Sequence, residues 1–314
     1  MNYSAFVSPR DPGGKCLESV TCWLQGHYRI WKTLYYRFGA YQLEIELLRA
    51  LFPDGIDRPP RLKSERAQAW TLNELANSYS LSGQPRNAVP LFEASNVPDE
   101  KSGNKRGVAI GLGNIADDQL KLGELAAERN LRRSIELCRE IKDEFWEAVG
   151  HRELGRLLAY RGVFDEAVGE LDAAMGLFEK QNATQSICVV WAYRALRALL
   201  MGDKSAFTAA QQARTLADAE HYERDIIRAE WLLGAALVAQ QDTKGFENTS
   251  GLNEAHAHLT EALQRCRRIG MVDHEPNILL AWARWYRAHE MNAKEGHESA
   301  KEGRESAKEA QRYA

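Results

Sequence analysis

The sequence has few cysteines and no long apolar run. Five cysteines are scattered over 314 residues, an odd number without paired spacing, which argues against a disulfide framework and favours a reducing cytoplasm. No stretch of about 18 uncharged apolar residues occurs, so we expect no membrane-spanning helix. The segment from Met1 to Lys15 lacks the apolar core of a signal peptide. We therefore expect a cytoplasmic protein.

An excess of charge of one sign is also missing. Lys and Arg total 41 against 44 Asp and Glu, which gives a formal net charge of −3. Proteins that bind nucleic acid usually carry a basic face, so we expect neither nucleic acid nor membrane as a partner. The chain is 44% hydrophobic and 27% charged, which supplies enough apolar surface for a folded core.

Motifs for catalysis are missing as well. Gly13-Gly14-Lys15 lacks the rest of a phosphate-binding loop, and Cys16 stands where that loop needs Ser or Thr. The neighbouring carboxylates Asp117 and Asp118 diverge on a helix and do not form an acid–base pair. No cluster of His and Cys has the paired spacing of structural zinc. We therefore predict no catalytic residue, no metal site, no cofactor and no enzymatic activity.

What the sequence does contain is a repeat. Small residues with apolar neighbours three and four positions away recur as Ala76, Ala116, Gly155, Ala195 and Gly234. Their successive spacings are 40, 39, 40 and 39 residues. Apolar residues at this spacing are typical of one face of a helix. Glycines that favour a left-handed helix end follow four of these anchors at Gly83, Gly123, Gly162 and Gly202.

Each unit of this repeat predicts two antiparallel helices joined by a short turn. The small anchor lets the first helix approach the second closely, and one unit alone cannot bury its apolar stripe. Neighbouring units must therefore stack into a continuous array. The predicted fold class is all-α, a right-handed superhelix of stacked antiparallel helix pairs.

The best copy of the motif is Leu154-Gly-x2-Leu158-x3-Gly162-x4-Ala167. It resembles the tetratricopeptide repeat family in its variant of about 40 residues, and the resemblance covers roughly residues 64–290. Two segments, Ser80–Arg86 and Leu131–Leu137, are similar to the C-terminal repeat arrays of bacterial STAND-type signalling ATPases. The tetratricopeptide resemblance implies an α-solenoid whose concave groove binds a protein or peptide, in several members through a terminal carboxylate.

The chain divides into four predicted parts. These are a disordered N-terminal segment, a divergent helix pair or N-terminal cap, a repeat array of five to six helix pairs, and a polar C-terminal helix or tail, over residues 1–16, 17–60, 61–290 and 291–314. In the fourth unit Arg194 falls where Leu is usual, so the register there stays open. In the fifth unit, the polar segment from Asp242 to Asn253 predicts an exposed loop.

The first helices of stacked pairs line a concave groove, so side chains beside each anchor but off its buried stripe should face that groove. The predicted groove residues are Trp70, Asn73, Asn77, Asn114, Asp117, Arg152, Arg156, Arg197, Arg228 and Trp231. Arg152 and Arg156 are four residues apart and share a helix face. Two guanidinium groups suit a carboxylate or an acidic peptide. The alternative is that both are solvated or paired with Glu153.

The leading functional hypothesis is a non-catalytic scaffold that binds a protein or peptide, with an acidic segment or free carboxylate as its recognised feature. The alternative is a ligand-sensing regulatory module of, or partner to, a STAND-type signalling ATPase. RNA binding is disfavoured, because a helical-repeat RNA code needs side chains that recur from unit to unit, and the groove residues do not. The sequence leaves the oligomeric state open.

Overall fold

The fold is helical throughout the part of the chain that the computed structural model describes, which is residues 41–124, 126–244 and 249–292. Within these ranges twelve helices follow one another without a strand. In chain order they are α1 (Tyr41–Arg49), α2 (Glu65–Leu81), α3 (Pro85–Ser102), α4 (Lys105–Leu122), α5 (Ala126–Ile141), α6 (Glu144–Tyr160), α7 (Phe164–Lys180), α8 (Thr184–Met201), α9 (Ser205–Glu220), α10 (Glu223–Lys244), α11 (Thr249–Arg268) and α12 (Glu275–Asn292).

The helices pack in consecutive pairs. Among the described helices, five pairs, α2/α3 to α10/α11, make the most extensive contacts. The first helices of the pairs also contact one another in succession, from α4 through α6, α8 and α10 to α12, and so form an inner layer. The second helices form the outer layer. This arrangement confirms the predicted all-helical array of stacked pairs.

The small anchors bring inner and outer helices close together. A Cβ atom added to Gly155 would lie 2.7 Å from Cγ of Leu171 and 3.2 Å from the carbonyl oxygen of Ala167. Gly234 has the same relation to Leu259, whose Cγ would lie 2.6 Å away. In both units the outer helix therefore occupies the space that a larger side chain at the anchor position would need.

The inner helices end where the glycines predict. Gly123 and Gly202 cap α4 and α8 in the left-handed conformation, with φ values of 74° and 77°. Gly83 and Gly162 in the corresponding turns have φ values of 74° and 76°. A side chain with Cβ is strained in this region, so glycine sets the sharp turn between inner and outer helix.

The fourth unit keeps the repeat register despite its unusual arginine. The anchor Ala195 is 1% exposed, as the repeat requires. Arg194 turns out of the core, where its Nη2 donates to Oδ1 of Asp172 at 2.6 Å. Its guanidinium carbon lies 4.8 Å from the ring centroid of Trp191. The arginine is thus accommodated at the outer edge of α8 without shifting the helix.

The fifth unit contains less loop than the sequence predicts. The predicted loop ran from Asp242 to Asn253, whereas α10 extends to Lys244 and α11 begins at Thr249. Leu252 is 1% exposed, and its carbonyl accepts a hydrogen bond from Nε1 of Trp285 at 2.7 Å. The prediction is wrong for these residues because Leu252 has a buried place beside α12, which the polar composition of the segment does not reveal.

The third and fifth units share a polar contact with exchanged partners. In the third unit His151 on α6 contacts Glu170 on α7. In the fifth unit Glu230 on α10 contacts His258 on α11, with 2.6 Å between Oε2 and Nδ1. In both units the inner residue lies four positions before its anchor, and the two outer residues lie at equal positions of their helices. Both units thus have a contact between an acid and a histidine at this position, with the acid on the outer helix in the third unit and on the inner helix in the fifth.

The end regions of the chain are described only in part. The predictions for residues 1–16 and for 17–40 of the helix pair lie outside the described residues, as does nearly all of the polar tail. Helix α1 is described, and its Ile45 and Leu48 are buried in the same apolar cluster as α2. No described helix combines the length and the apolar character needed to cross a membrane.

Replacing Gly155 by leucine tests the close approach of inner and outer helices. The new side chain has no room between α6 and α7. We expect Gly155→Leu to lower the free energy of unfolding, measured by urea denaturation with circular dichroism, by at least about 2 kcal/mol, a typical cost of overpacking.

Gly176→Leu is the matched control on α7, where an added Cβ meets no atom within 4 Å. It should leave the free energy of unfolding unchanged or raise it by up to about 1 kcal/mol, since a helical glycine is removed. Equal losses in the two variants would show that the anchor position is not special.

Candidate binding groove

Opposite charges meet where consecutive inner helices present the same repeat position. Asp117 on α4 follows the anchor Ala116, and Arg156 on α6 follows the anchor Gly155. Because the two helices stack in register, the side chains meet across the groove. Nη2 of Arg156 donates a hydrogen bond to Oδ1 of Asp117.

Tyr193 on α8 brings two arginines together. The guanidinium carbons of Arg156 and Arg228 lie 5.3 and 5.6 Å from its ring centroid. The tyrosine is 5% exposed, and its hydroxyl donates to Oε2 of Glu153 at 3.3 Å. Each cation–π contact is worth about 0.5–2 kcal/mol. One aromatic ring thus positions arginines from two different units.

Glu153 holds both arginines of α6. Its Oε1 accepts from Nε of Arg152 at 2.9 Å, and its Oε2 lies 3.1 Å from Nη2 of Arg156. Burial alone would raise the pKa of Glu153, but the guanidinium groups of Arg156 and Arg152 hold that pKa below its usual value. Glu153 is therefore charged at neutral pH and fixes the arginine positions.

A second charge cluster joins α2 to α4. Nζ of Lys121 lies 3.0 Å from Oδ2 of Asp117 and 2.9 Å from Oδ1 of Asp118. The same amine donates to the hydroxyl of Ser80 at 2.8 Å, and that hydroxyl donates to Asp118 at 2.6 Å. The inner helices of the first two units are thus linked by polar side chains.

The two neighbouring aspartates of this cluster have opposite pKa shifts. Burial raises the pKa of Asp118 to about 6, a shift that Lys121 opposes and the charge of Asp117 reinforces. Burial acts on Asp117 in the same direction, but Lys121 and Arg156 overcome it and hold the pKa of Asp117 well below its usual range. Asp117 therefore keeps its charge between two cations.

The predicted groove residues divide into those at this centre and those away from it. Asp117, Arg156 and Arg228 are brought together around Tyr193. Arg152 is 2% exposed, and its guanidinium carbon lies 5.8 Å from the ring of Phe178 on the outer helix α7. Arg152 therefore lies beneath the groove surface.

Four predicted residues lie toward the first unit. Nδ2 of Asn114 donates to Oδ1 of Asn73 across α2 and α4 at 3.5 Å, a long hydrogen bond. Asn77 and Asn114 are buried, and Trp70 is half-buried against the apolar cluster of α1 to α3. These side chains form a polar joint between the first two units, some distance along the array from Tyr193.

The remaining two predicted residues make other contacts. Nε of Arg197 donates to the carbonyl of Phe164 at 3.1 Å, and with Arg194 it lines a cleft of about 260 Å³ between α7, α8 and α9. Trp231 is 8% exposed, and its ring centroid lies 6.3 Å from that of His274 in an edge-on contact. Trp231, a residue of α10, thus packs against the start of α12.

Sequence reasoning missed four residues of the candidate groove, although the repeat frame contains the signal for them. Tyr193 and Glu153 each precede their anchor by two residues, and Tyr160 and Lys121 each follow theirs by five. Tyr160 is 46% exposed and carries the groove's accessible aromatic surface near Arg156. A strict alignment of the units by their anchors would have found these positions.

Glu74 occupies the same position in the first unit as Glu153 in the third. It is 5% exposed, its Oε1 accepts from Nδ2 of Asn73 at 3.2 Å, and its Oε2 has no partner among the described residues. Burial, reinforced by repulsion from Glu44, raises the pKa of Glu74 to about 8. Glu74 is therefore mostly protonated at neutral pH.

Comparison with known proteins supports the fold. No protein-family model matches the chain, and no curated protein matches it in sequence. Among solved structures, a crystal structure of a Rap protein complexed with Competence and Sporulation Factor is similar. It has a TM-score of 0.55 at 15% sequence identity, over 86% of this chain and 74% of the Rap chain. The similarity to STAND-type ATPases stays a prediction.

The buried Glu74 should make stability depend on pH. Its pKa is about 8 in the folded chain against 4.5 ordinarily, so the folded state holds the proton more tightly. Its contribution to stability is complete below pH 4.5 and declines as the pH rises through 8. As the pH rises from 4 to 9, the free energy of unfolding of Glu74→Gln should increase relative to that of the wild type by at least about 1 kcal/mol.

The exposed Glu65 on the same helix provides the control. Glu65→Gln should keep the pH profile of the wild-type chain in urea denaturation. If the Glu74→Gln profile is parallel to that of the wild type, Glu74 is not held protonated.

Proposed function

We propose that this chain is a non-catalytic binding protein that takes a peptide or protein segment with a free carboxylate into the groove between its inner helices. The observation that carries the proposal is the pair of arginines, Arg156 and Arg228, set on the ring of Tyr193. Guanidinium groups held in fixed positions are suited to recognising a carboxylate with two parallel hydrogen bonds.

An unused donor supports a ligand at this centre. Nε of Arg156 is buried and has no acceptor among the described residues. A buried donor without a partner costs about 1–3 kcal/mol. A carboxylate or backbone carbonyl that accepts from Arg156 recovers this energy, whereas Nη2 of the same residue is already engaged by Asp117 and Glu153.

The charge balance of the groove favours a single carboxylate over a long acidic tract. Arg228 is paired with Asp225 at 2.8 Å, and Arg156 is paired with Asp117 and Glu153. The groove thus presents carboxylates beside its cations, and a tract of acidic side chains would meet them with repulsion. The C-terminal carboxylate of a peptide brings one negative charge and extends away from the cluster.

Tyr160 adds an apolar contact to this polar centre. Its side chain lies near Arg156 and Arg228 and is about half exposed. Aromatic side chains of this kind are enriched where proteins bind partners, because they offer a large rigid surface and a polar tip. The similar Rap structure is a complex with a second molecule, which agrees with a binding role.

The arginine pair can be tested with a displayed library of random ten-residue peptides that carry free C-termini. Peptides selected on the wild-type chain should bind Arg156→Gln and Arg228→Gln at least about tenfold more weakly, because a charge-assisted hydrogen bond is worth about 1.5–3 kcal/mol. Affinity is measured by isothermal titration calorimetry or fluorescence anisotropy.

Arg133→Gln serves as the matched control. Arg133 lies on the outer helix α5, and its side chain is 52% exposed. Its replacement should leave peptide affinity unchanged. Failure to enrich any peptide, or equal affinities for all three variants and the wild type, would contradict a ligand site at Tyr193.

Amidation of a selected peptide tests the carboxylate itself. Converting its C-terminal carboxylate to the amide should weaken binding at least about tenfold, since the arginines lose their charged acceptor. The control peptide keeps its free C-terminus and has internal Asp and Glu replaced by Asn and Gln. If this control peptide loses affinity and the amidated one does not, the groove reads an acidic side chain instead of the chain end.

A further inference from the structure

The two ends of the described array touch each other. The loop between α11 and α12 reaches the turn between α2 and α3. A Cβ atom built on Gly83 would lie 3.0 Å from Cγ2 of Val272 and 3.7 Å from its Cβ. Gly83 belongs to the first unit and Val272 follows the fifth, so this contact closes the array into a ring around the groove.

Polar contacts accompany this apolar one. Nη2 of Arg224 on α10 lies 3.0 Å from Oδ2 of Asp273, which is buried in the loop before α12. Arg224 also makes a side-chain hydrogen bond with Tyr41 on α1. Lys121, which donates to Ser80 on α2, is one of the cations that act on Asp273. The first unit, α4, α10 and the last loop thus meet at one place.

The arginine pair is mostly covered in this state. The side chain of Arg156 is 15% exposed and that of Arg228 is 11% exposed, and Tyr193, Asp117 and Asp225 lie against them. A ligand that engages both guanidinium groups needs more of their surface than this. The ring must therefore widen, or the ligand must enter along its axis.

The contact between the first unit and the last loop is the part of the ring best suited to open. The first unit is held to α4 by the apolar cluster that contains Ile115, as well as by Ser80, Asp118 and Lys121. Its turn, in contrast, meets the last loop through Val272, which is 42% exposed and so makes only a light contact. Contacts of this kind separate more easily than a packed apolar core.

We propose that Gly83 of the first unit and Tyr41 of α1, with Arg224, Val272 and Asp273, form a latch that holds the ring closed. The arginine pair becomes accessible when the latch opens. This inference rests on the proposed function for its biological meaning, but the opening itself is a property of the unliganded chain.

A disulfide across the latch tests the closed state. The 3.7 Å between the two Cβ positions matches the separation of about 3.5–4.5 Å found in disulfides. The test chain carries Gly83→Cys and Val272→Cys in a background with Cys16→Ser and Cys22→Ser. The three remaining cysteines, Cys138, Cys188 and Cys266, are buried, and burial raises the pKa of Cys138 and of Cys266 to about 12.

The disulfide should form in the folded chain under mild oxidation and leave the radius of gyration from small-angle scattering unchanged. Phenylglyoxal, which reacts with arginine side chains, then measures access to Arg156 and Arg228 by mass spectrometry. We expect modification of both to be at least about fivefold slower in the oxidised than in the reduced chain, because locking removes the open population. The exposed Arg133 serves as the internal reference.

A chain carrying Val272→Ser and Asp273→Asn provides the opposite test and introduces no cysteine in the strained turn. It should be modified faster than the wild type at Arg156 and Arg228, whereas Asp165→Asn, an exposed change on α7, should not. The proposal is overturned if the disulfide forms without slowing modification, or if the loosened chain is modified no faster than the wild type at both arginines. A failed peptide selection leaves these rates unaffected, so failure of the binding function is recognised separately.

Discussion

The close approach of each inner helix to its outer partner is the constraint on which the rest of the structure depends. At Gly155 the approach leaves no room for a Cβ beside Leu171, and alanine is the largest anchor in the five units. Because every pair packs in the same way, the units stack in one register. Equal positions on successive inner helices then lie side by side, and they line the candidate groove.

Stacking in register explains how so many charges are accommodated in the groove. Equal positions carry opposite charges, as with Asp117 on α4 and Arg156 on α6. An unpaired charge at such a depth would cost several kcal/mol of desolvation. Pairing offsets that cost and leaves the groove nearly neutral, with its cationic side chains held in fixed positions. Under the proposed function, a ligand is therefore recognised through short-range hydrogen bonds more than through long-range attraction.

The sequence predicted the fold better than the site, for a physical reason. Periodic anchors and turn glycines act within about 40 residues, so they can be read directly. The depth of a side chain such as Arg152 depends on a partner from another helix, here Phe178 on α7. The sequence suggests Glu153 only as an alternative ion-pair partner of the arginines, whereas its burial makes it their common acceptor.

The sequence by itself determined the helical repeat, its period, its anchors and the ends of most inner helices, because each follows from contacts within one unit. The tertiary structure alone decided that Gly83 meets Val272 and that Tyr193 gathers two arginines. Both depend on curvature, which is the sum of small rotations between successive units. No single unit contains that sum, so it emerges only when all the pairs are stacked.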